Sequence, residues 1–446
     1  MTRLHPIFKK GDKKLINNYR GIAILNAMEK IFEKIVHKYL LNFLQPIISK
    51  TQHGFLPRRS VISNLLEHHS YIINNFEDKN VHQTDVCYFD ASKAFDVVIH
   101  SRLLQRLKMI GIDGMLLQWF QSYLYDRSVQ VTFNGSISSS YTPSSGVPQG
   151  SILGPLLFVV YINDLQNETN ISSKISFYAD DIKLSRGIKN SNDVYQLQND
   201  VNNVTSWCYA NGLTLNATKC ETLSFSSSRT PMMNDYVVNG TILSRNEFFK
   251  DLGIIFDPKC KFIYHIDKVV TDAYKLLGFI MRTSKWFRNL AAIIHLYKTL
   301  VRSKLEYATQ IWRPHYALYK DKIESIQRRF TRFVFHKFRI PYHYYESRLQ
   351  ILNLESLETR REKADFYLLY KIINGELQTS IISDICIRLR RNIRNMSIFG
   401  IRRTTSNVAF YSPLYRMCRN YNDIFKDQYL FNLPYSEYRK RINDNL

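Results

Sequence analysis

The sequence of 446 residues lacks the marks of several protein classes. Its six cysteines, Cys87, Cys208, Cys220, Cys260, Cys386 and Cys418, form no Cys-x-x-Cys pair, so no zinc finger or knuckle is written into it. The histidines, His68-His69 among them, show no zinc-ligand spacing and read as structural. The longest apolar run, Leu156 to Ile162, falls far short of the ~18 residues of a membrane span. The opening Met1-Thr2-Arg3-Leu4-His5-Pro6 leads straight into Lys9-Lys10 with no secretory signal. These absences predict reduced thiols in an intracellular compartment, without a membrane. There is no repeat at solenoid spacing. Low complexity is confined to Ser136–Ser145 and Ser224–Ser228, which read as loops. Acidic residues are also few, with 38 Asp and Glu against 61 Lys and Arg, for a formal charge of +23 and a pI near 9.6. That balance disfavours acidic substrates and favours a polyanionic partner. A basic membrane-surface protein is the competing reading. The 29 Tyr and 27 Phe tilt it toward nucleic acid, because aromatic rings stack on unpaired bases.

The length calls for two or three domains or subdomains, and 45% hydrophobic residues support a folded chain. Pro6 to Asp12 reads as a strand end and a turn. Asn26 is placed to cap a helix running to about Phe43, with Met28, Ile31, Phe32, Ile35, Val36, Tyr39 and Leu40 on one face and Pro46 ending it. Ser63 to Phe76 predicts a second helix. Asp85 to Asp90 predicts a short strand, followed by a helix whose face is Leu103, Leu104, Leu107 and Ile110, ended by Gly111. Val129–Phe133 and Ile137 flank Asn134-Gly135, a strong hairpin signal. Ser151 to Leu165 reads as a buried helix. Ile175, Phe177 and Ala179 alternate with polar neighbours, as do Ile182 and Leu184, predicting a hairpin with Asp180-Asp181 at its tip. Asp193–Tyr209 is amphipathic; Thr222–Phe225, Tyr236–Val238 and Phe248–Phe256 are strand-rich. After Pro258 the patterns are helical only, as in His265–Thr283, Leu290–Trp312 and Lys320–Phe335. The expected class is therefore α+β to about residue 257 and mainly α beyond.

Three clusters carry the chemistry: Phe89-Asp90, then Gly146-Val147-Pro148-Gln149-Gly150, then Tyr178-Ala179-Asp180-Asp181. The first and third place carboxylates at the ends of short β-like runs. Carboxylates on rigid elements can hold two divalent cations about 3.5–4 Å apart, the arrangement used for in-line phosphoryl displacement. Mg²⁺ needs only one or two carboxylates when substrate phosphates complete its shell. The glycine-rich segment between them lets a nucleotide or template approach the backbone closely. Such a set suggests a nucleic-acid polymerase. The bland alternative is that Asp180-Asp181 is only a solvated turn.

The stretch Phe89-Asp90-Ala91-Ser92-Lys93-Ala94-Phe95-Asp96 resembles motif A of reverse transcriptases from non-long-terminal-repeat (LINE-like) retrotransposons. Gly146 to Ser151 resembles motif B, Phe177 to Asp181 motif C, and Gly212-Leu213-Thr214-Leu215-Asn216 with Lys219-Cys220 motif D. Leu252-Gly253 stands where the primer grip falls. Upstream, Pro6 to Asp12 with Asn18-Tyr19-Arg20, and Gln52-His53-Gly54-Phe55 with Arg58 and Ser60, resemble the family's two fingers motifs. The likeness covers residues 5 to 257 well and weakens beyond. Gly21 stands where many relatives carry proline. The N-terminal endonuclease of many such elements is not seen, which suggests a truncated copy.

The resemblance implies a right-hand polymerase with an antiparallel palm sheet backed by helices, an all-α thumb and a C-terminal helical region. Fingers would be 1–84 and 112–142, palm 85–111 and 143–257, thumb 258–380, and a basic helical tail 381–446. Asp90, Asp180 and Asp181 would hold two Mg²⁺ ions, with Mn²⁺ able to substitute. Lys219 would protonate the leaving pyrophosphate. Phe95 would be a steric gate against a 2′-hydroxyl, Gln149 with Gly146 and Gly150 would meet nucleotide or template, and Lys10 and Arg20 would hold the triphosphate. Asp85 is expected to start its strand and Asp96 to sit at a helix start. The tail cluster Arg388, Arg390, Arg391, Arg394, Arg402 and Arg403 would touch phosphates or solvent alone. Partners would be an RNA template, a DNA primer and deoxynucleoside triphosphates, in the nucleus or a cytoplasmic ribonucleoprotein. The rival readings are an RNA-dependent RNA polymerase and a catalytically silent remnant that only binds nucleic acid. Ala179 and Phe95 argue against the first and the intact carboxylates against the second.

Overall fold

The computed structural model describes residues 2–228, 230–341, 343–388, 397–426 and 428–446. The chain divides into two compact units. The first takes Met1–Ser60, Asp85–Thr222 and Met232–Asn246; the second takes Val61–Thr84, Leu223–Pro231 and Glu247–Leu446.

In the first unit, β1 (Thr2–Phe8) and β2 (Tyr19–Ile24) pair antiparallel, and β1 also pairs in parallel with a later strand, β4 (Val129–Phe133). Helix α1 (Ala27–Leu44) follows, with Asn26 accepting the Glu29 N–H at 2.7 Å as its cap. Its apolar face is largely uncovered: Met28 is 77% exposed and Tyr39 68%, whereas Glu33, Leu40 and Leu44 are buried. Helix α2 (Val61–Glu77) belongs to the second unit. Strand β3 (Gln83–Phe89) is buried throughout. Asp85 is its third residue rather than its first. Its carboxylate is buried and accepts the Tyr236 hydroxyl at 2.7 Å, so this acid is spent on internal bonding. Next come α3 (His100–Met109), closed by Gly111 at φ +96°, and α4 (Gly114–Tyr125).

β4 (Val129–Phe133) and β5 (Ser136–Ile137) meet through Asn134-Gly135, both at positive φ as a primed hairpin turn requires. The expected single helix 151–165 is two pieces, α5 (Gly154–Ile162) and α6 (Leu165–Glu168). The hairpin of β6 (Lys174–Tyr178) and β7 (Asp181–Ile188) closes at the pair Tyr178–Asp181. The connecting residues are thus Ala179-Asp180, with Asp181 opening the return strand. Helix α7 (Ser191–Ala210) precedes β8 (Glu221–Phe225), the small pair β9 (Val237–Val238) and β10 (Thr241–Ile242), and β11 (Ser244–Arg245).

The central sheet has the order β11-β8-β3-β7-β6. Its β6–β7 pair is antiparallel as expected of a palm, while the edge pair β11–β8 runs parallel. One apolar core joins this sheet to its helices, through Phe89 and Cys87 of β3, Leu184 of β7, Leu103 and Leu107 of α3, the near-continuous α5 run, and Val201 and Val204 of α7. Burying a large apolar side chain of this kind contributes about 1.5–3 kcal/mol, which makes the sheet a rigid platform for its strand ends.

The second unit holds the hairpin of β12 (Phe249–Asp251) and β13 (Ile254–Phe256), turning at Leu252-Gly253, where the Tyr307 hydroxyl donates to the Leu252 carbonyl at 2.9 Å. Helix α8 (Ile263–Thr283) matches expectation. The predicted helix 290–312 is broken into α9 (Leu290–Leu296), a π-turn over Tyr297–Arg302, α10 (Ser303–Glu306) and α11 (Thr309–Trp312), with Ala308 at φ +49° before the last piece. Then come α12 (Ala317–Lys337), α13 (Tyr345–Ile351) and α14 (Leu357–Ile373). The tail is not purely helical. A two-residue β pair, β14 (Cys386–Ile387) with β15 (Phe399–Gly400), precedes α15 (Asn407–Phe410), α16 (Pro413–Phe425) and α17 (Tyr435–Asn445). Of the tail arginines, Arg390, Arg391 and Arg394 lie outside the described residues. Arg388 donates to Ser397 Oγ at 2.8 Å. No helix among the described residues is long and apolar enough to cross a membrane, and all six cysteines are free.

Candidate active site

Asp90 follows the buried end of β3, and Asp180 occupies the β6–β7 turn. Strands β3 and β7 are neighbours in the sheet. The two carboxylates lie in mutual electrostatic range. Burial pushes the Asp180 carboxyl above the usual range and the Asp90 charge adds to that, while a hydrogen bond from its own backbone, Arg20 and Lys9 pull the other way. Two acids far apart in sequence, and two cations from the β1–β2 hairpin, therefore share one field.

The segment after Asp90 is held from both sides. Ser92 N–H donates to the Thr214 carbonyl at 2.9 Å and Asn216 N–H to the Asp90 carbonyl at 2.9 Å. Lys219, at the end of that same motif D stretch, places its ammonium 3.3 Å from Asp90 Oδ1. Both side chains are about half exposed, at 47% and 46%. Asp181 is exposed, and its charge raises the hydroxyl of Tyr178, its partner across the strand pair, after burial has done so.

The turn that carries Asp180 is braced by the segment Gln52–Phe55. Buried Gln52 Oε1 accepts two backbone donors, Gly54 N–H at 2.7 Å and Ala179 N–H at 3.0 Å. His53 N–H donates to the Phe177 carbonyl, and Phe177 N–H to the Thr51 carbonyl, each at 3.0 Å. A Cβ on Gly54 would stand 2.5 Å from Ala179 N, so only glycine admits this approach. Ala179 itself sits at φ +56°, a strained conformation for alanine that these bonds hold in place.

The glycine segment is fixed against the protein's own backbone. A Cβ on Gly146 would meet the Asp96 carbonyl at 2.7 Å, and one on Gly150 the Ala23 carbonyl at 2.5 Å. Gln149 donates through Nε2 to Asp96 Oδ1 at 2.7 Å, and its carbonyl takes the Ala23 N–H at 2.6 Å. Asp96 is not at a helix start, since α3 begins at His100; it lies in a turn and serves as the anchor for Gln149. Buried Glu33 of α1 accepts Ile152 N–H at 2.6 Å and the Tyr123 hydroxyl at 2.7 Å, tying the following residues to α1 and α4. Phe95 stacks on Phe158 with ring centres 4.5 Å apart and meets Phe55 edge-on at 6.1 Å.

Of the cationic candidates, Arg20 is exposed on β2 and acts on Asp180. Lys10 is exposed in the turn after β1, and its neighbour Lys9 is the lysine whose charge bears on Asp180. Three contributors were not singled out from sequence: Lys9, the double acceptor Gln52, and Asp96 as a partner for Gln149. Gln52 lay inside a recognised motif, yet residue type alone gives no sign that its amide oxygen would hold the turn. Adjacent lysines are indistinguishable until the turn is known.

Among the described residues no three His, Cys, Asp or Glu side chains converge as a ready-made metal cluster. Two hard oxygen donors, Asp90 after β3 and Asp180 in the β6–β7 turn, are the kind of set that can hold a divalent cation when substrate phosphates complete its shell, with the exposed Lys219 contact to displace.

The family pattern described as "Reverse transcriptase (RNA-dependent DNA polymerase)" matches residues 7–281. The chain is 27% identical over 342 residues to the RNA-directed DNA polymerase from mobile element jockey of Drosophila funebris, covering 73% of this chain and 36% of that protein. It is 27% identical over 334 residues to the probable RNA-directed DNA polymerase from transposon BS of Drosophila melanogaster, covering 71% and 36%. A Pol polyprotein from the type-1 retrotransposable element R2 of Popillia japonica is 28% identical over 239 residues, covering 51% and 32%. The chain thus spans about a third of the length of the curated relatives it matches. Among solved structures, apo telomerase from Candida Tropicalis is similar at a TM-score of 0.44 and 10% identity, covering 79% of this chain and 61% of that one. Because the family pattern spans more than half of the sequence, this chain belongs to the reverse transcriptase (RNA-dependent DNA polymerase) family.

Proposed function

We propose that the chain is the polymerase part of a retrotransposon of the non-long-terminal-repeat kind, copying an RNA template by extending a DNA primer with deoxynucleoside triphosphates. The observation that carries this is that the neighbouring strands β3 and β7 bring Asp90 and Asp180 to one region, where Arg20 and Lys9 also act on Asp180. Fingers, palm and thumb would take the boundaries expected from sequence, with the carboxylates in the palm, although residues 61–84 of those fingers group with the second compact unit.

In the reaction the primer 3′-hydroxyl attacks the α-phosphate and pyrophosphate leaves. Asp90 and Asp180, with Asp181 beside them, would hold Mg²⁺, or Mn²⁺ in its place. When bound, such ions lower the pKa of the attacking hydroxyl and offset charge on the phosphate oxygens. Arg20 and Lys9, with Lys10 next in sequence, supply fixed positive charge for the triphosphate. Gln149, whose amide nitrogen is anchored by Asp96, would meet the incoming nucleotide or the template base. Lys219 sits beside Asp90 with a proton to give to the leaving group. The Phe95 ring, braced by Phe158 and Phe55, would exclude a 2′-hydroxyl from the sugar site.

Primer extension on an RNA template tests this reading. The purified chain is expected to extend with deoxynucleotides, to stop when chelator removes divalent cations, and to incorporate ribonucleotides poorly. Phe95→Val should admit ribonucleotides at least tenfold better. Extension by ribonucleotides alone would favour the RNA-polymerase reading. RNA binding without extension in either Mg²⁺ or Mn²⁺ would favour a silent remnant.

A further inference from the structure

The second unit holds a cavity of about 450 Å³, walled by the π-turn after α9, by α10, α11, α14 and α17, and by the loop at 353–355. That size falls within the range of small-molecule sites. Its wall is strongly basic. Lys298, Arg302, Arg360, Arg361, Lys363 and Arg439 line it, against two acids, Glu306 and Glu355. Those acids are already committed: Arg360 engages Glu306 through two nitrogens, and Lys363 donates to Glu355 at 2.7 Å.

Arg361 is the unusual member. It is 2% exposed, yet neither Nη1 nor Nη2 has a hydrogen-bond partner. Arg302 Nε also makes no hydrogen bond, although it lies 3.7 Å from Glu306 Oε1. Elsewhere in the same unit the equally buried Arg416 is fully engaged, bonding Asp365 through two nitrogens at 2.9 and 3.0 Å and the Gln310 carbonyl at 2.7 Å. Burial pulls the Arg361 guanidinium down to about 10, with Glu324 opposing, so it stays charged at neutral pH. Nearby carboxylates, Glu324 first, offset part of the cost of burying this charge, but the two Nη groups still lack acceptors, which is costly in its own right. The group that matches a planar cation fork set among further cations is a tetrahedral oxyanion with several acceptor oxygens.

We propose that this cavity is a phosphate-binding site, with Arg361 as its buried anchor and Lys298 and Arg439 at its mouth. The phosphate group comes either from the backbone of a nucleic-acid strand or from a free nucleotide. The choice of RNA as a probe rests on the polymerase reading; the phosphate site does not.

The test uses the full chain at constant ionic strength. Thermal unfolding is followed with inorganic phosphate, pyrophosphate or chloride, and RNA binding by fluorescence anisotropy of a labelled 12-nucleotide RNA over a salt series. Phosphate and pyrophosphate should raise the wild-type Tm by several degrees beyond chloride. Arg361→Met should abolish that rise while its Tm in chloride is no lower than wild type, since a buried cation with two nitrogens lacking acceptors has gone. Lys298→Gln, at the rim, should weaken phosphate protection about tenfold and serves if Arg361→Met fails to fold. If RNA is the source, either variant lowers the slope of log K against log salt by about one. If a free nucleotide is the source, that slope is unchanged and a nucleoside triphosphate protects wild type but not the variants. Either result upholds the site. Equal Tm in phosphate, pyrophosphate and chloride, or protection that survives in both variants, overturns it. Loss of primer extension alone would instead count against the polymerase reading, because phosphate protection requires no catalysis.

Discussion

At the scale of single residues, motif order singled out Asp90, Asp180 and Asp181 as candidates, whereas their surroundings were not legible. Nothing in Asp-Val-Val-Ile-His says that α3 waits until His100, which frees Asp96 to anchor Gln149. Nothing separates Lys9 from Lys10 except the path of the turn after β1. Lys219 was named as a proton donor, and its ammonium stands 3.3 Å from Asp90. That ion pair is half exposed, so it contributes less than about 1 kcal/mol to stability. Lys219→Met should therefore leave the denaturation midpoint nearly unchanged while slowing single-turnover extension by about 10²-fold, as loss of a general acid would. A variant that extends at the wild-type rate would remove Lys219 from the chemistry.

At the scale of elements, strong periodicity was enough for α1, α2, α7, α8 and α12, and the Asn134-Gly135 turn chemistry for β4–β5. What failed depended on tertiary context. The 290–312 pattern keeps its helical period, yet the chain breaks at Ala308, which adopts a left-handed conformation that no residue preference signals. Helix α4 is apolar around most of its surface, which leaves little contrast to read; only Phe120 and Leu124 are buried. The hairpin carrying Asp180 was read correctly as a hairpin, but its brace by Gln52 and Gly54 depends on a contact across more than a hundred residues. That brace is open to test. Gly54→Ala puts a Cβ 2.5 Å from Ala179 N, so the turn must shift, at a cost of about 1–3 kcal/mol. Because a misplaced catalytic group is costly to rate, extension should fall at least tenfold, measured with RNA affinity held as the control. Unchanged extension would mean that the turn does not need this support.

At the scale of the whole molecule, the charge of +23 suits a polyanionic partner, and two buried histidines of the second unit set an acid limit on stability. Burial holds His69 down at about 3, with Arg416 adding to it, and His265 at about 4, with Lys250 adding. Both lie below their ordinary 6.5, so between about pH 4 and 6.5 the unfolded chain binds more protons than the folded one. Stability should rise with pH across that window, by up to about 1.4 kcal/mol per pH unit for each group, and level off above it. Urea midpoints at pH 4.5, 5.5 and 7.5 check this, and His265→Asn should flatten the slope; an equal slope in the variant would rule out His265 as a source. The central claim is that Asp90 and Asp180, brought together from distant parts of the chain, act as one cation-holding pair. The most direct measurement is primer extension on RNA across a Mg²⁺ titration, with template affinity measured in parallel, for wild type and Asp180→Asn. The account predicts Mg²⁺-dependent extension that the substitution lowers by at least 10³-fold while RNA affinity stays within about twofold. Extension by Asp180→Asn at close to the wild-type rate and Mg²⁺ dependence would contradict it.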